Sequence, residues 1–318
     1  MISLAMAATA LLLEGFVGYP AYLQHRLGHP VQGMGALITY LDEGLNDSGA
    51  SVGQNRINGT IALIALLIAC VAPTILLVAL LARLPFGWII NILLATSLLA
   101  QKSLADHVRA VAEALPRSLP QARLEVSKIV GRDPSDLNQS GIAKAALETL
   151  AENASDGVVA PFIWYALLGL PGLVAYKAIN TADSMIGHKS EKYLGFGWAA
   201  ARLDDLVNLP ASRLTGHLLT GAAAVTSTTA VKAAWAAMWR DAAKHHSPNA
   251  GWPEAAMAGA LGLHFGGPRS YDGQTVGLAT IGDGRPPQGE KDIEAGLFLY
   301  RNAMALLFLT SVILAMVL

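Results

Sequence analysis

Long apolar runs alternate with polar segments along the chain. Residues 61–82 and 84–101 carry no charge, and 297–318 carries only Arg301 near its start. Each run approaches the ~20 residues with which a helix crosses a hydrocarbon core. The pattern therefore predicts membrane helices at about 61–82, 84–101 and 297–318. A fourth is predicted at 1–23, where Glu14 interrupts an otherwise apolar stretch. That stretch has no basic n-region and no small-residue cleavage site. It reads as an uncleaved membrane helix with Glu14 against protein or near an interface.

Two further charge-free runs, 158–176 and 214–231, are not ordinary lipid-exposed spans. Gly169-Leu170-Pro171-Gly172 interrupts the first, with Pro161 near its start, which predicts a broken or re-entrant segment near 158–176. The second contains Thr215, His217, Thr220 and a Thr-Ser-Thr-Thr string, and is a non-standard or additional span.

Between the runs lie polar segments at 102–157, 177–213 and 232–296, with seven, five and six Lys and Arg respectively. The positive-inside rule puts all three on the cytoplasmic side, so Lys144 and Lys189 are expected on one face of the membrane. In the first segment 120–130 is amphipathic and Gly131-Arg132-Asp133-Pro134 breaks it. A helix follows from Gln139 to about Asn153, with Gly157 beyond its end. Lys144 and Glu148, four apart on that helix, are expected on a solvated face. Strand-type alternation is nowhere sustained, and the chain shows no repeat, low-complexity tract or Pro-rich linker. The expected architecture is an all-α, polytopic integral membrane protein with amphipathic and extramembrane helices, folded as one unit over 1–318.

Composition agrees with this. The chain is 53% hydrophobic and 14% charged with a mean hydropathy of +0.43, against roughly 25% charged residues in soluble domains. A net charge of −1 gives no basic footprint for nucleic acid. The single cysteine, Cys70, sits in an apolar run and is a packing residue.

The polar residues gather in three blocks. The first, 152–161, puts Glu152 and Asp156 four apart at a helix end; read alone it is a helix C-terminus with turn residues. The second runs from Tyr176 through Asn180, Thr181, Asp183, Ser184, His188, Lys189 and Tyr193 to Arg202, Asp204, Asp205 and Asn208. Its carboxylates are flanked by apolar sequence, where they need a partner or a cation. Arg202 and Arg213 are candidate structural partners, and a Mg²⁺ ion serving a nucleotide phosphate is the functional alternative. Lys177, Lys189 and Arg202 are candidates for phosphate oxygens. The third block, 241–254, is a rigid turn presenting Lys244, His245, His246, Ser247, Asn249 and Glu254. It reads as a ligand-binding loop or as a turn capped by Ser247 or Asn249. The adjacent histidines lack the i,i+4 spacing of a zinc pair. No phosphate-binding loop, H-E-x-x-H, dinucleotide fingerprint or nucleophile elbow is present.

Four of these strings resemble the signature blocks of the CobD/CbiB family: NASDGVVAP at 153–161, YKAINTADSMIGH at 176–188, FGWAAARLDDLVN at 196–208 and HHSPNAGWPEAAMAG at 245–259. His29-Pro30-Val31 with Met34-Gly35, Val130-Gly131-Arg132-Asp133, Gly266-Gly267-Pro268, Tyr271 and Gly273 extend the resemblance collinearly over nearly the whole chain. Departures are a longer stretch between Gly18-Tyr19-Pro20 and His29, Ser212 between Ala211 and Arg213, and His246 where the family commonly has Pro.

The resemblance implies an adenosylcobinamide-phosphate synthase, multi-pass in the cytoplasmic membrane with its active site on the cytoplasmic side. Such an enzyme joins adenosylcobyric acid to (R)-1-aminopropan-2-ol phosphate in an ATP- and Mg²⁺-dependent amide synthesis. On that basis Asp183 with Asp204 or Asp205 is expected to hold the metal. Lys189, Arg202 and Lys244 are expected on phosphates, and His245 or Glu254 on the proton of the amine. Asn153, Asn180 and Asn249 are expected on amides of the corrin periphery, with Asp156, Thr181, Ser184, His188, Tyr193 and Ser247 completing the substrate contacts. Partners implied are the bilayer, both substrates, and a homo-oligomer or a complex with other corrinoid enzymes. Two rival readings are a transporter of a polar solute, which uses broken helices, and a non-catalytic membrane scaffold for corrinoid enzymes. ATP-dependent product formation excludes the first, and loss of product on neutralising the acidic residues excludes the second.

Overall fold

A computed structural model describes residues 2–20, 22, 26, 28–131, 133–267, 269–271, 274–276 and 279–317. Arg132, Pro268 and Gly273, which carry part of the family resemblance, lie outside the described residues, as do the ends of the 1–23 and 297–318 runs. The chain is all-α, and it folds as two compact units.

The first unit comprises 1–100, 160–208 and 311–318. Its helices are α1 (Ile2–Val17), α2 (Pro30–Leu45), α3 (Val52–Leu81), α4 (Gly87–Thr96) and α8 (Ala160–Ile186), with the beginning of α9 (Trp198–Ala222). Helix α8 is the hub, packing against α1, α2, α3 and α4. The Tyr165 hydroxyl donates to Asn91 Oδ1 at 2.7 Å and the Trp164 indole to the Val207 carbonyl at 3.1 Å. The expected break falls inside α8 at Gly169, whose φ of 66° and ψ of −163° only glycine adopts readily, two residues before Pro171. Glu14 is buried at 1% exposure.

The second unit comprises 101–159 and 209–310. It holds α5 (Gln101–Ala114), α6 (Leu119–Ser127), α7 (Gln139–Asn153), a π-helical turn at Ala154–Val159, the end of α9, α10 (Thr228–Asp241), α11 (Gly251–Leu261) and most of α12 (Glu290–Val317). The short strands β1 (Phe265–Gly266) and β4 (Thr280–Ile281) pair antiparallel, as do β2 (Arg269–Tyr271) and β3 (Gln274–Val276). Asn138 caps α7 by accepting from the Gly141 N–H. Helices α10 and α11 approach closely because Gly259 faces the Ala233 carbonyl, where a Cβ would lie 2.5 Å from the oxygen.

Among the described residues, four helical runs are long and apolar enough to cross a membrane: Val52–Leu81, Gly87–Ala114, Gln139–Ile186 and Glu290–Val317. The run at 61–82 thus begins earlier than its charge-free core suggests, because Asn55 and Gly59 continue the helix on a buried face. The 214–231 run is not one span: α9 ends at Ala222, a 3₁₀ turn follows, and Ser227 caps α10.

Candidate functional site

The second unit carries an open cavity of about 330 Å³. Helix α7 lines it with Ala145, Glu148, Thr149 and Glu152, an i, i+3, i+4, i+7 stripe that one helix face presents to one side. Asn153, Gly131, His245, His246 and Glu254 complete its polar wall.

The histidine turn is held by its own side chains. Ser247 Oγ accepts the N–H groups of Asn249 at 3.2 Å and Ala250 at 3.3 Å, so it caps the turn. His245 Nδ1 accepts the Ser247 N–H at 3.0 Å. In the neutral ring that fixes the proton on Nε2, which faces Glu254 Oε1 at 3.7 Å. The His246 ring lies 4.3 Å from that of His245. Gly251 permits the tight turn, since a Cβ there would sit 2.2 Å from the Ala242 carbonyl and 2.7 Å from His245 Cβ. Behind the turn, buried Asn249 accepts from Ser212 Oγ at 3.1 Å and Arg213 Nη1 at 2.9 Å. Lys244 bonds buried Asp241 at 2.7 Å.

Glu148 corrects the expectation of a solvated Lys144–Glu148 face. Glu148 is buried at 6% exposure, and its Oε1 accepts the Gly266 N–H at 2.8 Å. Lys144 donates to the Gly266 carbonyl at 2.6 Å. The pair grips both polar ends of one backbone residue whose φ is 68°.

The acidic block belongs to the first unit. Asp204, at 8% exposure, accepts from Asn208 Nδ2 at 2.9 Å and Asn180 Nδ2 at 3.3 Å. Asn208 is itself oriented by the Tyr176 hydroxyl at 2.9 Å. Burial, then the nearby charge of Asp183, pushes the Asp204 carboxyl up to about 7 against the two amide hydrogen bonds. The Asp183 carboxylate occupies the space beside Gly187, where a Cβ would lie 1.9 Å from its Oδ1. Asp205 lies 3.6 Å from Arg202, and its charge also acts on Asp204. Thr181 and Ser184 donate back to the Lys177 and Asn180 carbonyls. His188 and Lys189 are exposed in the following turn. The Tyr193 hydroxyl donates to Asp42 at 3.1 Å beside Lys192 at 2.8 Å. Burial works against ionisation of Asp42, yet the bonds from Lys192, Asn46 and Tyr193 hold its carboxyl below the usual range.

Asn153, His245 and Glu254 therefore share one cavity, and Asn180, Asp183 and Asp204 one acidic cluster. Asp156 lies in the π-helical turn. Among the described residues, no three His, Cys, Asp or Glu side chains converge on a ready metal cage. Mg²⁺ itself needs only one or two carboxylates, completing its shell with phosphate oxygens and water. The sequence did not single out Glu148 or Thr149 as site residues. The stripe at 145, 148, 149 and 152 was the available signal.

These features define an all-α membrane protein with a polar, carboxylate- and imidazole-lined cavity. Residues 7–300 match the family model described as CobD/Cbib protein, and the chain belongs to the CobD/CbiB family. It is 49% identical over 315 residues to "Cobalamin biosynthesis protein CobD" of Sinorhizobium fredii, covering 96% of this chain and 95% of that one. Identity to the protein of that name from Rhodobacter capsulatus is 47% over 307 residues, covering 95% and 94%. The Brucella suis protein of that name is 46% identical over 313 residues, covering 96% and 95%. No solved structure matches.

Proposed function

We propose that this protein catalyses ATP-dependent amide formation between adenosylcobyric acid and (R)-1-aminopropan-2-ol phosphate, giving adenosylcobinamide phosphate at the cytoplasmic membrane. Family membership and the names of the relatives support a role in cobalamin biosynthesis. The observation that carries the finer reading is the second unit's cavity, which joins Glu148, Glu152 and Glu254 to His245 and His246.

An amine attacks an acyl group only after losing its ammonium proton. The carboxylates of the cavity would attract the ammonium, and Glu254, beside His245, would take that proton. A free carboxylate is a poor acyl donor. Phosphoryl or nucleotidyl transfer from ATP would activate the corrinoid carboxylate, and amine attack would expel phosphate or AMP. Asp183 and Asp204 would hold the Mg²⁺ that neutralises phosphate charge, with Lys189 and Arg202 as basic groups for phosphate oxygens.

The test is incubation of purified protein with adenosylcobyric acid, ATP, Mg²⁺ and the amino-alcohol phosphate, followed by mass spectrometry of the corrinoid. The expected result is a mass gain equal to the amino-alcohol phosphate less one water, dependent on ATP. A corrinoid of unchanged mass from well-folded protein overturns the reading and leaves the transporter or scaffold.

A further inference from the structure

Helix α10 presents an outward face that the proposed reaction does not use. Its other face, Ala234, Ala237, Met238 and Asp241, is buried. The outward face carries Trp235 and Trp239, 48% and 56% exposed although tryptophan is highly buried on average. Their rings lie 5.8 Å apart, and the ladder continues from Trp239 to Trp252 at 5.1 Å. At the other end the His217 ring lies 5.6 Å from Trp235. The Arg213 guanidinium covers Trp252 at 4.8 Å.

The charge on this stretch has one sign. Residues 209–240 contain no Asp or Glu, and their ionic groups are Arg213, Lys232 and Arg240. Arg240 is paired with Asp241 and Asp283, whereas among the described residues Lys232 has no ion-pair partner. Helix α10 has 14 residues, a length of about 21 Å, too short for a hydrocarbon core of about 30 Å. Exposed tryptophans beside an outward lysine are the chemistry of a helix lying at a membrane surface, its indoles at headgroup depth. The same unit contains most of α12, one of the four runs apolar enough to cross a bilayer.

We propose that the outward face of α10 rests on the bilayer surface, with Trp235 and Trp239 inserted at the headgroup level and Lys232 over anionic lipid phosphates.

The full-length protein is reconstituted in nanodiscs of dibrominated phosphatidylcholine, with and without phosphatidylglycerol, and tryptophan emission is compared with discs of unbrominated lipid. Because Trp88 and Trp198 are also exposed, the informative quantity is the difference between the wild type and a Trp235→Phe/Trp239→Phe variant. The expected result is that bromine quenches the emission assigned to these two residues and that the variant loses that quenched component. Lys232→Ser is expected to abolish any increase in quenching with phosphatidylglycerol. An independent depth comes from a nitroxide at Ala236→Cys in a Cys70→Ser background, expected to collide with oxygen more than with a water-soluble nickel chelate. Emission insensitive to bromine but quenched by aqueous acrylamide overturns the proposal. Protection that appears only as protein concentration rises also overturns it, and marks the face as a protein contact instead.

Discussion

At the scale of single residues, the cavity makes a graded prediction. If Glu254 and His245 move the amine proton, Glu254→Gln and His245→Asn each lower kcat by about 10²–10⁴ with folding retained. Corrinoid mass spectrometry against time gives the rate, and a variant retaining full turnover removes its residue from that role. Glu148 has a second duty. In Glu148→Ala the Gly266 N–H loses its acceptor, at a cost of about 1–3 kcal/mol, read as a lower thermal midpoint. Glu148→Gln keeps an acceptor oxygen there and is expected to unfold close to the wild type. Asp204 supplies a pH dependence. Its folded pKa of about 7 lies above the ordinary carboxyl value, so the folded state binds the proton more tightly. That contribution to stability is complete below about pH 4 and is lost as pH rises through about 7. Unfolding midpoints measured from pH 4 to 8 should therefore fall more steeply in the wild type than in Asp204→Asn. Equal slopes contradict the assigned environment.

At the scale of elements, the break in α8 depends on Gly169. The combination of φ 66° with ψ −163° is strained for any residue with a Cβ, so Gly169→Ala should destabilise by about 1–3 kcal/mol, measured as lost thermal stability. The nearest atom to an added Cβ, Pro171 Cδ, is 3.8 Å away, so the effect reports backbone conformation rather than crowding. This break was legible because Gly and Pro act locally. Helix α7 was legible for the same reason, running over the residues expected, Gln139–Asn153. The π-helical turn after it was not, since an extra residue in a helical turn is settled by packing and leaves no local signature. Lys144 and Glu148 were misread because their i,i+4 spacing looks the same whether solvent or a buried backbone faces them. Their shared partner, Gly266, is more than a hundred residues away in sequence. The acidic and histidine blocks were recognisable as clusters of unusual polarity, yet their sequence could not reveal that the aspartates and the histidine turn belong to different units.

At the scale of the whole molecule, the apolar runs announce a membrane protein without saying which side of each helix meets lipid. Helix α3 shows why. Ile61, Ile64, Ile68 and Ile75 are each more than half exposed, while Ala62, Leu63 and Leu66 are buried. Both faces are apolar, so no amphipathic period separates packing from lipid contact. The structure separates them, and substitutions at two neighbouring positions should then fail in different ways. Ile68→Lys places a charge on the lipid face, at about 2.5–3.5 kcal/mol near a span's centre, and is expected to reduce the fraction of chain integrated into membranes. Leu66→Ala leaves the outer face unchanged and is expected to insert normally. The cavity it opens costs about 2–5 kcal/mol, so the inserted protein unfolds at lower temperature. Ile68→Leu should alter neither quantity. Carbonate extraction reads insertion and thermal unfolding in detergent reads packing. If Ile68→Lys inserts as efficiently as the wild type, the isoleucine face of α3 is not in contact with hydrocarbon.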